Sequence, residues 1–352
     1  MPEIERRDEL CVGLDVGGAN LKLASTDGYC EHAGFPLWKH PQKLQSAIES
    51  MLGRCVAASA REPSAIGLTM TGELADCYET RSIGVVAICE SVAAACPIPP
   101  LVYGTDGRWL TISEAMQSPL SVAASNWHAL SSWIAADLLP DVDHAVVVDI
   151  GSTTTDVIAI AGGRVMSTSR TDRERLLSGE LVYTGMRRTP VVAILPSVSL
   201  GGVVCPVMAE AFATSDDAYI LLGLVGESLG DTDTADGRPR SQAAAGQRLA
   251  RMVGEDFETL GDATQQLAHQ VIEAQATVIA DAVERVAARL PNSNSVKVVL
   301  SGEGQQLFQF CERRFSRQVE RVDLTEVIGT AAAQVAPAMA VSHLIWRQHA
   351  TA

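Results

Sequence analysis

Basic residues are scarce in this chain. Its 352 residues include 27 Lys and Arg against 42 Asp and Glu, so the formal net charge at pH 7 is -15. Proteins that bind nucleic acid or anionic membranes broadly need clustered positive charge. The composition therefore argues against both kinds of partner. A phosphate group would have to be bound locally, through backbone N–H groups, a few cations or Mg²⁺.

Paired cysteines and long apolar runs are also missing. The eight cysteines are scattered without a C-x-x-C pair, which favours buried reduced thiols over a metal site or a disulfide framework. No uncharged apolar run reaches the roughly 18 residues that span a bilayer. The first ten residues, MPEIERRDEL, are charged and lack the pattern of a secretory signal. These absences predict a cytoplasmic protein.

Apolar residues make up 47% of the chain, which at this length is enough for two domain cores. The opening pattern predicts three strands, a helix, a strand, a helix and another strand. The expected elements are strands 10–18, 21–25 and 31–37, helix 42–60, strand 65–70, helix 83–96 and strand 101–104.

The pattern then repeats after a helical crossover near 126–139. A strand over 144–150 ends in an Asp-x-Gly turn, and 154–160 returns as its hairpin partner, as happens near Asp15. This repetition indicates an internal duplication. We therefore predict an N-terminal domain over 8–125 and a C-terminal domain over 140–345, the latter with an insertion over roughly 166–240.

The insertion includes a glycine-rich apolar segment at Val198–Val204, for which the sequence predicts neither a helix nor a strand. Beyond it, we expect helices over 248–256 and 263–290, a strand over 296–300, and a last helix over 324–346 that is interrupted or kinked at Pro337. Apolar periodicity places Val278 on the core face of the second of these helices.

The first motif with chemical potential is the turn after strand 10–18. Gly17 and Gly18 allow an anion to approach the backbone, and Asn20 can donate to a phosphate oxygen. Lys22 supplies a positive charge, and Asp15 is placed to hold Mg²⁺ directly or through water. An ordinary glycine hairpin with a capping Asp is the alternative.

The second motif repeats the first with a run of hydroxyls. Asp149 corresponds to Asp15 as a metal ligand, and the candidate phosphate-binding residues are Gly151, Ser152, Thr153 and Thr154. A Thr-rich strand start would explain the same residues through β-propensity. Because both turns suit an anion, the duplication favours phosphate binding.

A third glycine turn contains Gly302 and Gly304, between strand 296–300 and the next helix. In nucleotide-binding proteins such a turn lies near the adenosine, but a simple strand-to-helix turn explains it equally well.

Four segments carry a resemblance to a known family. The chain resembles the hydantoinase A/oxoprolinase family of the actin/sugar-kinase/Hsp70 ATPase superfold, and within it the branch linked to tetrahydromethanopterin-dependent one-carbon transfer. The resemblance implies an α/β fold of two duplicated actin/Hsp70-like (ribonuclease H-like) domains around an interdomain cleft. The matching segments are GLDVGGANLK (13–22), VDIGSTTTD (148–156), SGELVYTGMRRTP (178–190) and DTADGRPR (233–240).

The resemblance also implies an activity. That branch includes a transferase of methanofuran biosynthesis that joins an aminomethylfuran methyl diphosphate to the phenol oxygen of γ-glutamyltyramine and releases diphosphate. Lys22 would stabilise the departing charge with the turn N–H groups and Mg²⁺, and Glu73 or Asp156 would take the phenol proton. A capping or solvated role for Glu73 is the alternative.

Acceptor recognition would fall to the inserted segment. Tyr183, Arg187 and Arg188 suit a glutamyl carboxylate or the diphosphate, although a surface loop with solvated arginines would look the same. The acidic loop Asp231–Asp236 would either hold a metal or be an exposed loop.

The wider superfold allows other functions. An ATP-dependent small-molecule kinase or a hydantoinase/oxoprolinase-like amidohydrolase is the main alternative, and only that alternative requires ATP. A non-catalytic protein that has kept the fold is a third class. The expected partners are a small-molecule diphosphate and a phenolic acceptor of tyramine or tyrosine type, and a homodimer is compatible with the sequence.

Overall fold

The structure, a computed structural model, describes residues 9–140, 142–291 and 294–350. The expected start of the first domain at residue 8 lies outside these ranges. Contacts divide the chain into two compact units. The first runs through Val147, includes Ile158–Ser178 and takes up the chain again from Arg321, while the second comprises Val148–Val157 and Gly179–Glu320. Because both units are discontinuous, the boundaries expected from sequence stay a prediction.

The strands fall into two larger sheets and one hairpin. In chain order they are β1 Cys11–Val16, β2 Asn20–Ser25, β3 Cys30–Gly34, β4 Ala65–Met70, β5 Leu101–Tyr103, β6 Trp109–Thr111, β7 His144–Ile150, β8 Thr155–Ala161, β9 Arg164–Val165, β10 Leu181–Val182, β11 Ser197–Leu200, β12 Val203–Pro206, β13 Ser295–Gly302 and β14 Gln318–Asp323.

The helices lie between groups of these strands and after the last one. They are α1 Leu44–Ser59, α2 Arg81–Ala95, α3 Ile112–Gln117, α4 Asn126–Trp133, α5 Asp172–Ser178, α6 Val191–Ile194, α7 Ser215–Leu221, α8 Gln242–Arg251, α9 Phe257–Leu260, α10 Ala263–Ala287, α11 Gln305–Glu312, α12 Leu324–Ile328, α13 Thr330–Gln334 and α14 Ala336–Ala350.

The two large sheets share an order of strands. The first is β3-β2-β1-β4-β5-β6, in which β1, β4 and β5 are parallel and the other neighbours antiparallel. The second is β10-β8-β7-β13-β14, with β9 against β8. The order β8-β7-β13-β14 repeats β2-β1-β4-β5. The predicted α/β class with a duplicated sheet is therefore confirmed.

The core of the first unit explains its strand and helix pattern. Every residue of β1 is buried, and the apolar stripe of α1 (Leu44, Ile48, Met51, Leu52 and Cys55) faces the same core. Helix α14 packs on β1 at Gly13, where an added Cβ would lie 2.0 Å from the carbonyl oxygen of Ala338. Only glycine allows so close an approach. The last helix is thus part of the unit that contains the first strand.

Several predicted helix limits were wrong. The expected helix 324–346 is divided into α12, α13 and α14. The interruption expected at Pro337 lies two residues earlier, at Val335, whereas the break at Gly329 was not predicted. Pro337 is the second residue of α14, where its missing N–H costs little. Val278 is 47% exposed because the buried stripe of α10 is centred near Gln275 and Ile279, which leaves Val278 at its edge. The expected helix 248–256 is α8, which Ser241 caps through its side chain.

The insertion contains a hairpin that the sequence pattern did not predict. Strands β11 and β12 pair antiparallel around Gly201 and Gly202, which both have positive φ values of 57° and 83°. Two consecutive positive φ values are typical of a tight hairpin turn. The Gly-Gly pair within Val198–Val204 was therefore the missed signal.

Two further findings concern the state of the cysteines and the apolar character of the helices. All eight cysteines are free thiols; four are buried, and Cys77 is exposed. Within residues 9–140, 142–291 and 294–350, no helix combines the length and the apolar character needed to cross a membrane.

Candidate functional site

The turn between β1 and β2 is closed by its own backbone. The Gly17 N–H donates to the Asn20 carbonyl at 2.9 Å, and the carbonyl of Gly18 accepts from the Leu37 N–H at 2.9 Å. Apart from Gly18 and its two chain neighbours, no described atom lies within 4 Å of the point where a Cβ of Gly18 would be. Hydrogen bonds thus fix the conformation of the turn, while the space beside Gly18 is open, which suits the approach of an anion to the backbone.

Asp15 and Lys22 lie opposite each other on β1 and β2. The Lys22 Nζ is 3.7 Å from Asp15 Oδ2, and Asp15 Oδ1 is buried without a hydrogen-bond partner among the described residues. Burial raises the pKa of the Asp15 carboxyl, and the nearby Lys22 cation opposes that rise. The structure therefore brings both predicted residues together and leaves one carboxylate oxygen available to a ligand.

Glu73 lies beside this turn because β1 and β4 are parallel and end at the same edge of the sheet. The Thr71 N–H donates to the Val16 carbonyl at 2.9 Å, and Glu73 follows in the 3-10 turn Gly72–Leu74. A Cβ added to Gly72 would lie 3.1 Å from the Gly17 carbonyl oxygen. The fold of the first unit thus brings the Glu73 turn against the candidate phosphate turn.

The Glu73 carboxyl group is almost completely enclosed. Its side chain is 1% exposed, its Oε1 accepts from Arg81 Nη2 at 3.1 Å, and its Oε2 has no hydrogen-bond partner in the described part of the chain. Burial raises the pKa of Glu73 to about 7, although Arg81 opposes the rise. A carboxyl with a pKa near neutrality is suited to accept a proton. The solvated alternative does not fit this burial, whereas the capping alternative stays open.

Sequence analysis missed the charged groups behind Glu73. The same Arg81 Nη2 lies 3.3 Å from Asp172 Oδ2, and Arg175 Nη1 lies 3.6 Å from Asp172 Oδ1. The guanidinium of Arg175 stacks over the Trp127 ring at 4.5 Å. Arg81 and Asp172 are far apart in the chain, so no spacing pattern links them.

The turn between β7 and β8 repeats the first turn in the second unit. The Gly151 N–H donates to the Thr154 carbonyl at 2.9 Å, as Gly17 does to Asn20. This equivalence matches Ser152 with Gly18 and Asp156 with Lys22. The matched position is therefore a buried carboxylate in the second hairpin, where the first has a cation. The two turns have the same backbone hydrogen bond, but they differ in charge at the position of Lys22 and Asp156.

The third glycine turn packs on the second hairpin. The Gly304 N–H donates to the Ile150 carbonyl at 3.0 Å. Gly302 has a φ of +84°, and a Cβ added there would lie 2.8 Å from Asp149 Oδ1. The second unit therefore brings the predicted nucleotide-like turn together with the predicted metal ligand Asp149.

The segment Tyr183–Pro190 also holds the second hairpin. The Met186 N–H donates to the Gly151 carbonyl at 2.9 Å, and the N–H groups of Arg187 and Arg188 donate to the Ser152 carbonyl at 2.9 and 3.0 Å. A Cβ added to Gly185 would lie 2.6 Å from the Thr153 nitrogen. This segment therefore shapes the Gly151–Thr154 turn through its backbone.

A buried polar cluster fixes this segment in turn. The Gln275 amide Nε2 donates to the Gly185 carbonyl at 2.7 Å and to Thr184 Oγ1 at 2.8 Å, and its Oε1 accepts from the Tyr219 hydroxyl at 2.7 Å. The Ser215 hydroxyl donates to the same Gly185 carbonyl at 2.8 Å. Buried polar groups that are satisfied in this way specify one arrangement.

The candidate acceptor-binding side chains differ in their surroundings. Tyr183 is 59% exposed, and Arg187 Nη2 pairs with Asp231 Oδ2 at 2.8 Å. Within the acidic loop, Asp236 Oδ1 accepts from the buried Arg248 at 3.0 Å. Arginines thus engage Asp231 and Asp236. Among the described residues, no group of three or more His, Cys, Asp or Glu side chains is arranged to hold a metal ion.

Topology and site together define an α/β protein with two matched glycine hairpins and a buried carboxyl beside the first. The hydantoinase/oxoprolinase family profile matches residues 65–348. The chain belongs to the hydantoinase/oxoprolinase family.

Two archaeal relatives carry the same name, (4-{4-[2-(gamma-L-glutamylamino)ethyl]phenoxymethyl}furan-2-yl)methanamine synthase. The chain is 30% identical to the Methanocaldococcus jannaschii protein over 343 residues, which cover 96% of this chain and 98% of the relative. It is 27% identical to the Methanococcus vannielii protein over 205 residues, which cover 57% of this chain and 90% of the relative.

Among solved structures, the ethanolamine utilization protein EutJ from Carboxydothermus hydrogenoformans aligns with a TM-score of 0.48 and 13% identity, over 96% of this chain and 90% of that one. This similarity is too low to support a fold or a function by itself.

Proposed function

We propose that this protein is a transferase of methanofuran-type cofactor biosynthesis. It condenses an aminomethylfuran methyl diphosphate with the phenol of (γ-glutamyl)tyramine or a tyrosine analogue and releases diphosphate. The observation that carries the proposal is the similarity to the M. jannaschii synthase along almost the whole of both chains. The site geometry of the first unit agrees with this chemistry, and a cytoplasmic location stays part of the proposal.

The diphosphate is assigned to the first hairpin. The open backbone above Gly18 accepts a phosphate oxygen, Asn20 donates a hydrogen bond, and Lys22 neutralises charge. In the reaction the bond between the furfuryl carbon and the diphosphate oxygen breaks, and both electrons leave with the diphosphate. The phenol oxygen forms the new bond to that carbon, so negative charge grows at the hairpin as the reaction proceeds.

The phenol proton is assigned to Glu73. Its Oε2 has no hydrogen-bond partner in the described ranges, and its pKa of about 7 leaves an ionised fraction at neutral pH. Asp156 remains the second candidate base; it is buried on β8, where its backbone pairs with Leu181 of β10. The orphaned oxygen and the raised pKa together favour Glu73.

Mg²⁺ fits the donor set at Asp15. The buried Oδ1 of Asp15 has no partner among the side chains that are described, and a carboxylate oxygen with added waters is a common magnesium ligand set. Asp149 is the matching candidate in the second unit. When bound, Mg²⁺ supplies positive charge to the diphosphate oxygens.

Acceptor recognition is assigned to Tyr183, Arg187 and Arg188. Tyr183 is exposed enough to stack on a phenol ring, and the backbone around both arginines is fixed on the Gly151–Thr154 turn. Because Arg187 already pairs with Asp231, an acceptor carboxylate would have to share this cation.

The test is mass-spectrometric detection of the furan–phenol ether from purified protein, the diphosphate donor and the phenolic amine with Mg²⁺. Wild type should form the ether without ATP. Lys22→Met should lower kcat about a hundredfold, the usual effect of losing one donor to a developing anion. Lys43→Met, at an exposed lysine of the same unit, should leave the rate unchanged. Substrate-dependent ADP formation in place of the ether would instead indicate a kinase or an ATP-dependent amidohydrolase.

A further inference from the structure

We propose that Arg81 and Asp172 are positioning residues that act in opposition on Glu73: Arg81 holds the carboxylate ionised and oriented as the base, and Asp172 weakens that hold. The inference rests on the proposed function, in which Glu73 accepts the phenol proton. It concerns two residues that are far apart in the sequence and meet beside Glu73 in the folded first unit.

One guanidinium nitrogen serves two carboxylates. Arg81 Nη2 lies 3.1 Å from Glu73 Oε1 and 3.3 Å from Asp172 Oδ2. Nη2 carries two N–H bonds and can direct one at each carboxylate, so the positive charge that Arg81 offers to Glu73 is shared with Asp172. The orientation of Glu73 is fixed through Oε1, which leaves Oε2 as the oxygen that can take a proton.

Asp172 is itself held in place. Its Oδ1 lies 3.6 Å from Arg175 Nη1, and Arg175 is 2% exposed and stacked on the buried Trp127 ring. Asp172 and Arg175 are three residues apart, on the same face of α5. The four charges Glu73, Arg81, Asp172 and Arg175 therefore form a chain that is neutral when Glu73 is ionised.

The helix that supplies Arg81 is packed directly on the Glu73 turn. A Cβ added to Gly84 of α2 would lie 2.3 Å from the Glu73 carbonyl oxygen, so the backbones of α2 and of the Glu73 turn are in close contact. Arg81 is the first residue of α2, and Thr80 caps that helix through its side chain. Backbone packing thus places the start of α2, with Arg81, beside Glu73.

Arg81 and Asp172 shift the pKa of Glu73 in opposite directions. Burial raises the pKa of Glu73, the Arg81 cation lowers it, and the Asp172 anion raises it. On the neighbouring hairpin, Asp15 and Lys22 pair with each other. The two residues that act on Glu73 from α2 and α5 are therefore Arg81 and Asp172, and their removal should have opposite effects.

The experiment is the pH dependence of kcat/KM for ether formation by wild type, Arg81→Met and Asp172→Asn. This ratio reports ionisations of the free enzyme, so wild-type activity should rise with pH through about 7. The rise should move to higher pH by about one unit in Arg81→Met and to lower pH in Asp172→Asn. Arg81→Lys, which keeps the charge, should restore most of the wild-type profile.

Arg54→Gln is the matched control, because Arg54 pairs with Glu31 at 2.6 Å on the surface of the same unit. Its profile should coincide with that of wild type. Shifts of Arg81→Met and Asp172→Asn in the same direction, or a change confined to KM, would overturn the inference.

A second measurement needs no substrate. The unfolding temperature of each variant is measured across pH with Glu73 present and with Glu73→Gln, and the difference isolates the Glu73 ionisation. The transition should lie at higher pH in Arg81→Met and at lower pH in Asp172→Asn. If this transition lies at the same pH in wild type and in both variants, the positioning roles of Arg81 and Asp172 are contradicted. Absence of ether from wild type at every pH contradicts the proposed function instead, so the two failures are distinguishable.

Discussion

At the scale of single residues, the account depends on how burial and charge act on two carboxyl groups of the first unit. Asp15 and Glu73 are both buried, both have a raised pKa, and both keep one oxygen without a partner within the described residues. Asp15 has a lysine opposite it, whereas Glu73 has a shared arginine. Because of these different surroundings, Asp15 is the candidate metal ligand and Glu73 the candidate base.

Glu73→Gln should change how stability depends on pH. The pKa of Glu73 is raised from 4.5 to about 7 in the folded protein, so its stabilising contribution is present below pH 4.5 and is lost as pH rises through about 7. That loss is on the order of 3 kcal/mol in the free energy of unfolding. Denaturant unfolding of both proteins between pH 4 and pH 8 measures it.

The control for this prediction is Glu31→Gln. Arg54 and Tyr29 lower the pKa of Glu31, so this variant should lose stability relative to wild type at high pH, the opposite sign. If the free energies of unfolding of wild type and Glu73→Gln differed by the same amount at every pH from 4 to 8, the raised pKa of the buried Glu73 would be contradicted.

At the scale of elements, the two hairpin turns owe their shape to neighbours that are distant in sequence. The first turn is supported by the chain at Leu37 and Thr71, and the second by Gly185–Arg188 and Gly304. The glycine spacing and the Asp-x-Gly repeat were sufficient to predict the turns. The support could not be predicted, because a backbone contact such as Gly185 on Thr153 leaves no periodic signal in sequence.

Gly185→Ala should distort the second turn. The added Cβ would lie 2.5 Å from the Gly151 carbonyl oxygen, a contact that must displace backbone and that costs about 1–3 kcal/mol of stability. Gly226→Ala is the matched control, since no described atom beyond Gly226 and its two chain neighbours lies within 4 Å of the Cβ position. Thermal unfolding measures both variants, and equal unfolding temperatures would contradict the close packing of Gly185 on the turn.

At the scale of the whole molecule, the sequence predicted the duplicated α/β arrangement, the family and the main glycine turns. It did not predict the Glu73–Arg81–Asp172 contacts, because α2 and α5 are brought together only by the folded first unit. It also placed a helix across Gly329, where the chain instead has a φ of 84° between α12 and α13.

The most direct measurement of the proposed function uses a phenolic acceptor labelled with ¹⁸O at its hydroxyl. With the diphosphate donor, Mg²⁺ and no ATP, the ether should retain the label, and one diphosphate should appear for each ether formed. An ether without the label, or release of orthophosphate in place of diphosphate, would contradict attack of the phenol oxygen on the furfuryl carbon.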